Sequence, residues 1–217
     1  QPTHNMFFDT FANCSGLTGP IPNNLFGNLY GQYRSHMFLA SFYNCSGLTG
    51  QIPDNLFGDL YGPVYDYMFR ETFANCSGLT GQIPDNLFGA ITDVSKTSVF
   101  QATFSGCSGL TGSIPNGLFG NSSGTIGSAT FDRTFANCSG LTGFIPENLF
   151  GYSLEKISNY SFRQTFAGCK NLTGPSAKIN GKYLYEIWPD ATTTQVGIMY
   201  RGATGLTDYA DIPTPWK

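Results

Sequence analysis

Charge is scarce in this sequence. Only 12% of its 217 residues are Asp, Glu, Lys or Arg, about half the usual share. The 11 basic residues are mostly scattered singly and the net charge is −3, so there is no footprint for nucleic acid or an anionic membrane surface. Histidine is limited to His4 and His36, and neither sits in a nucleophile–base motif. No G-x-S-x-G, phosphate loop or dinucleotide fingerprint occurs. An enzyme is therefore not expected, and nothing asks for a cofactor. No apolar run approaches the roughly 18–20 residues that span a bilayer. The first thirty residues carry no secretory-signal pattern. The chain begins at Gln1 rather than Met, which reads as a processed or truncated product.

What is present is repetition. Cysteine stands at 14, 45, 76, 107, 138 and 169, each 31 residues after the last, and a fixed period of this size denotes a solenoid or array. Phenylalanine precedes each Cys by seven and by three residues, and Thr or Ser by four. Those spacings share one face of an α-helix, so FxxTFxxC is predicted to form a short helix. Arg70, Glu71, Asp132 and Arg133, on the varying positions, are expected to face water. Asn or Gly just before each Cys, and Gly (or Asn171) two residues after it, predict left-handed backbone at both places.

LTGxI follows, with one column at Leu17, Leu48, Leu79, Leu110, Leu141 and Leu172, and another from Ile21 to Ile145. Flanked by Gly and Pro, it predicts a strand of one or two ladder pairs. IPxxLFG predicts a helical turn closed by Gly27 and its copies. Seventeen of the 19 Phe occupy three columns of this frame, which only stacked units can bury. Strands stack about 4.8 Å apart and helices roughly 8–10 Å, so the stack is expected to curve with strands inside. The fold expectation is α/β: a curved solenoid of six 31-residue repeats over residues 1–175, with short parallel strands and short helices. A stacking step holds Cβ atoms farther apart than the about 3.8 Å a disulfide needs, so the six cysteines read as a column of buried free thiols. No His accompanies them, and a metal ladder is not expected.

Ten-residue windows at 28–37, 59–68, 90–99, 121–130 and 152–161 escape the pattern. Their constant length and changing identity suggest a display surface, with Tyr30, Tyr33, Tyr61, Tyr65 and Tyr67 as candidate contacts. The competing reading is a solvated connector, with Val64, Val94, Ile126 and Ile157 as anchors. The acidic column Asp54, Asp85 and Glu147 reads as helix N-terminal chemistry rather than a Ca²⁺ site. Sequons at Asn13, Asn44, Asn75 and Asn137 fall in a turn whose backbone already explains Asn. Residues 176–217 break the frame and predict a C-terminal cap holding a degenerate seventh unit, with Ala203 at the Cys position. The N-terminus shows no equivalent cap.

FxxC-xx-LTGxIP, together with MFLASFYNC at Met37–Cys45 and MFRETFANC at Met68–Cys76, resembles the BspA-like leucine-rich repeats over roughly residues 6–175. LTGxIPxxL is also similar to plant-type leucine-rich repeats, whose period is shorter. The BspA-like family occurs in surface and secreted proteins, some of them bacterial lipoproteins. The resemblance implies a curved solenoid, an extracellular or cell-surface location, no catalytic residues, and adhesion or binding of a protein or glycan partner. The alternative is a structural subunit of a surface filament or layer, assembled end to end through the open N-terminal coil.

Overall fold

The computed structural model describes residues 5–27, 29, 33–58 and 60–217. Tyr30 lies outside them. The FxxTFxxC segments are not α-helices. Each is a run of tight turns in which every fourth residue is left-handed: Asn5, Asp9 and Asn13 in the first, His36, Ala40 and Asn44 in the second, Tyr67, Glu71 and Asn75 in the third. Amides within the run alternate in direction. Leu39, Ser41, Tyr43 and Cys45 donate to the carbonyl three residues back, whereas Phe38, Ala40, Phe42 and Asn44 donate to Met68, Arg70, Thr72 and Ala74 of the next repeat at 2.8–3.0 Å. Every second residue is thus a rung of a parallel ladder between coils. The helix expectation failed because its spacing of four fits a turn repeat of four as well as a helix of 3.6. Its curvature argument falls with it. Coil joins coil here by direct backbone hydrogen bonds, so no helix packing distance of about 8–10 Å separates them.

The side-chain columns complete this ladder. Thr72 Oγ1 donates to the Phe38 carbonyl at 2.9 Å and Thr103 to that of Phe69 at 2.8 Å. Cys45, Cys76, Cys107, Cys138 and Cys169 donate through Sγ to the carbonyls of Phe11, Phe42, Phe73, Phe104 and Phe135, each at 2.9 Å. All six cysteines are free. Burial pushes the Cys107 and Cys169 thiols up to about 12. The Phe columns stack ring on ring: Phe73 on Phe104 at 5.7 Å and 7°, Phe88 on Phe119 at 6.1 Å and 12°. Such pairs add about 0.5–1.5 kcal/mol beyond area burial.

The LTG segments pair in parallel through single bridges, Gly19 with Leu48, Gly50 with Leu79, Gly81 with Leu110 and Gly112 with Leu141. Between the last two repeats the bridge lengthens into β4 (Gly143–Phe144) against β6 (Leu172–Thr173). The windows pair too, β1 (Tyr61–Gly62) with β2 (Ala90–Ile91) and β3 (Ser123–Ile126) with β5 (Ser153–Ile157), all parallel. IPxxLFG is a single turn with Asn24, Asn55, Asn86 and Asn148 left-handed, closed by an amide such as that of Gly58 donating to Asn55 at 2.9 Å.

Asn13, Asn44, Asn75, Gly106, Asn137 and Gly168 are left-handed, as their residue types suggest. Gly47 and its copies are not, and a different constraint selects glycine there. A Cβ on Gly47 would lie 2.5 Å from the Ser15 carbonyl and 2.7 Å from that of Leu17.

Beyond Thr173 come the hairpin β7 (Lys178–Ile179) and β8 (Lys182–Tyr183), α1 (Leu184–Ile187) and α2 (Thr193–Val196). Asn180 and Gly181, both left-handed, give that hairpin its two-residue turn. The repeat frame then resumes. Tyr200 stacks on Phe166 at 5.8 Å, Ala203 is fully buried, and Thr207 donates to Gly174 as Thr49 does to Gly19.

Candidate functional site

The residue after each LTG is the one varying position inside a conserved run: Pro20, Gln51, Gln82, Ser113 and Phe144. Its side chain lies against the left-handed glycine of the next coil. A Cβ at Gly112 would meet Gln82 Cγ at 2.5 Å, and one at Gly174 would overlap the Phe144 ring. Beside this column runs Asn23, Asp54, Asp85, Asn116 and Glu147, placed by the IPxx turn. Together they line a shallow groove across the repeats. One stretch of about 330 Å³ is bounded by Gln82, Asp85, Ser113, Asn116, Phe144 and Pro146. The adjoining stretch, about 300 Å³, is bounded by Gln51, Asp54, Gln82 and Asp85.

The groove is polar with one apolar landmark. Asp54 and Asp85 are exposed, and among the described residues their carboxylates form no hydrogen bond or ion pair. Phe144 is 65% exposed, the most of any large apolar side chain described. Glu147 is engaged: its carboxylate accepts from the Gly181 amide at 2.5 Å and so docks the hairpin. Among the described residues, no group of three or more His, Cys, Asp or Glu could hold a metal ion. The arrangement offers amide donors and acceptors, free carboxylates and one aromatic face.

A second groove, about 510 Å³, follows the turn before the cysteines and is lined by Asn13, Ser15, Asn44, Ser46, Asn75, Ser77 and Gly106. Asn44 Nδ2 donates to Asn13 Oδ1 and Asn75 Nδ2 to Asn44 Oδ1, each at 2.8 Å. The amide nitrogens that a glycan would modify at Asn44 and Asn75 are the donors of this ladder.

The tyrosines do not form one surface. Tyr33 is 3% exposed and packs in the core, which corrects its assignment as an exposed contact. Its window is drawn inward as the other windows are at Val64, Val94, Ile126 and Ile157, all buried. Tyr65 is half-buried against the core. Tyr67 is half-buried and left-handed, its ring stacked on His36 at 4.7 Å. Tyr61 belongs to β1, and its side chain lies outside the description. Asp132 also departs from expectation. It is fully buried, with Gln101 Nε2 donating at 2.9 Å and Arg163 bridging it through Nε at 3.0 Å and Nη2 at 2.7 Å. Those three residues are successive members of one column, so a charge complement one period apart was the signal for it. The groove residues carried a signal as well: variation confined to one position of an invariant run marks a side chain that faces solvent rather than the core.

No helix among the described residues is long and apolar enough to cross a membrane. Comparison with protein-family models, curated proteins and solved structures found no match.

Proposed function

We propose that this chain is a non-enzymatic binding module of the leucine-rich-repeat solenoid type, which engages a protein or glycan partner at a cell surface. The observation that carries the reading is the groove from Gln51 to Phe144, with its unpaired Asp54 and Asp85 and its exposed aromatic ring. Aromatic faces flanked by amides and carboxylates suit extended polar ligands, which are held by many modest contacts. The windows contribute mainly to packing under this reading, because their mid-points are core residues. The second reading, a subunit joined end to end, draws support from a first coil that no other described residue covers on its outer side, but the groups at the other end are already bonded.

The test is binding of the intact chain to arrayed oligosaccharides and to immobilised extracellular proteins, against the variant Gln82→Ala/Phe144→Ala. These side chains lie at the surface, so the variant is expected to keep the wild-type circular dichroism spectrum. A loss of tenfold or more in affinity for whichever array member binds is the expected result. Undiminished binding by the folded variant would remove the groove from consideration.

A further inference from the structure

The first coil exposes an edge with a definite polarity. In the second coil the carbonyls of Met37, Leu39, Ser41 and Tyr43 accept from the amides of Phe7, Asp9, Phe11 and Asn13 at 2.6–3.0 Å. The matching carbonyls of the first coil, on Met6, Phe8, Thr10 and Ala12, receive no amide from any described residue. Two side-chain donors are left over as well. Ser41 and Cys45 reach the carbonyls of Phe7 and Phe11, but among the described residues Thr10 has no such partner and Cys14 only a 3.9 Å contact with Ala12 in its own coil. The apolar residues match this picture. Leu17 is 40% exposed where Leu48 is 3%, and Phe8 is 44% exposed where Leu39 is 8%. Cys14 is the one exposed cysteine.

Whatever covers this edge must present amide donors at every second residue and carbonyls opposite Thr10 and Cys14. Neither end of a second copy does so. An identical first coil turned to face it would set carbonyl against carbonyl. At the opposite end the amides that should point outward are occupied: Ile198 donates to Pro215 at 2.9 Å, Tyr200 to Trp216 at 3.0 Å, and Gly202 to the Tyr209 hydroxyl at 3.1 Å. We propose that the N-terminal edge is a docking surface for a further coil of the same FxxTFxxC frame, carried by another polypeptide segment, and not for a second copy of this chain. A coil of that frame supplies amides at its own four rung positions and carbonyls at its two Phe, which is the full complement the edge lacks.

Cys14 reports on the edge. The experiment places a second copy of residues 37–67 directly ahead of Met6 in the otherwise intact chain and maps thiol labelling by mass spectrometry. In the unextended protein Cys14 is expected to label fast and the other five slowly. In the extended protein Cys14 should slow at least tenfold and the added cysteine become the fast one. Continued fast labelling of Cys14 in a folded extended chain would overturn the proposal. A measurement that needs no variant runs beside it: sedimentation of the unextended protein over a hundredfold concentration range. A monomer with reactive Cys14 throughout is expected. Association that protects Cys14 would show that a second copy covers the edge, and would also overturn it.

Discussion

The two ends of this stack are built from one frame and treated oppositely. Phe11 and Tyr200 hold the same frame position, three residues before Cys14 and Ala203. Phe11 is half-buried, whereas Tyr200 is fully enclosed, with its hydroxyl accepting from the Ala177 amide at 3.1 Å. At the C-terminal end the tail folds back, so that carbonyls of Pro215 and Trp216 take the place of a next coil and Trp216 packs its ring 6.4 Å from Phe162. At the N-terminal end the outward carbonyls of Met6, Phe8, Thr10 and Ala12 meet no amide among the described residues. A repeat therefore owes its burial to neighbours on both sides, and identical residues should differ in worth according to position along the stack.

The largest test of that difference is a pair of substitutions at one frame position. Phe166→Ala opens a cavity between Phe135 and Tyr200 and should cost about 3–5 kcal/mol in denaturant unfolding. Phe11→Ala, whose ring stacks on Phe42 alone among the described residues, should cost about 1–2 kcal/mol. Equal losses would mean the first coil is as well packed as the last. Next in size is an alkaline effect of the covered thiols. Their folded pKa lies above the unfolded value of 9.0, reaching about 12 for Cys107 and Cys169. Their contribution is thus complete below pH 9 and lost as pH rises toward 12, because only the unfolded chain can ionise them. Between pH 8 and pH 10 each well-buried thiol should remove about 1 kcal/mol, several in sum over Cys76, Cys107, Cys138 and Cys169, and Cys169→Ser should flatten that slope. The smallest effect contrasts two glycines. Gly78→Ala brings a Cβ to 2.5 Å from the Leu48 carbonyl and 2.6 Å from that of Ser46, and should cost about 1–3 kcal/mol. Gly16→Ala, with nothing within 4 Å, should leave the melting temperature unchanged.

Much of this was legible from residues, and what was not had physical reasons. The Cys, Phe and Leu columns mark buried positions because stacking forces each coil to repeat its neighbour. The Asn13 column betrayed its left-handed backbone through Asn and Gly. The equally left-handed Ala40, Glu71, Ala102 and Arg133 did not, since their residue types carry no such signature. Across the six 31-residue repeats that column holds no β-branched residue, the type that suffers most there, whereas the seventh unit places Ile198 in it. Two turns of FxxTFxxC are too short to separate a period of 4 from one of 3.6, so helix and turn run were indistinguishable. Asp132 was misplaced because a lone acid in a varying column gives no hint of burial until Gln101 and Arg163 are set beside it one period away. The groove at Gln82 and Phe144 left little trace in the sequence, because one varying residue per repeat shows no shared chemistry until stacking sets the five side chains in a row.

The alternation of rungs within each coil has a last consequence for how the molecule comes apart. Half of the turn amides are closed inside their own coil and half are held by the next. A coil that loses its neighbour thus keeps its local turns and forfeits its ladder. Fraying from the N-terminal side would release one rung set at a time, leaving a shortened stack with the same kind of edge. Opening from the other side must first lift Trp216 and the returning tail. Amide exchange should accordingly advance as a front travelling from Phe7 toward Phe166, so that loss of structure in this protein has a direction.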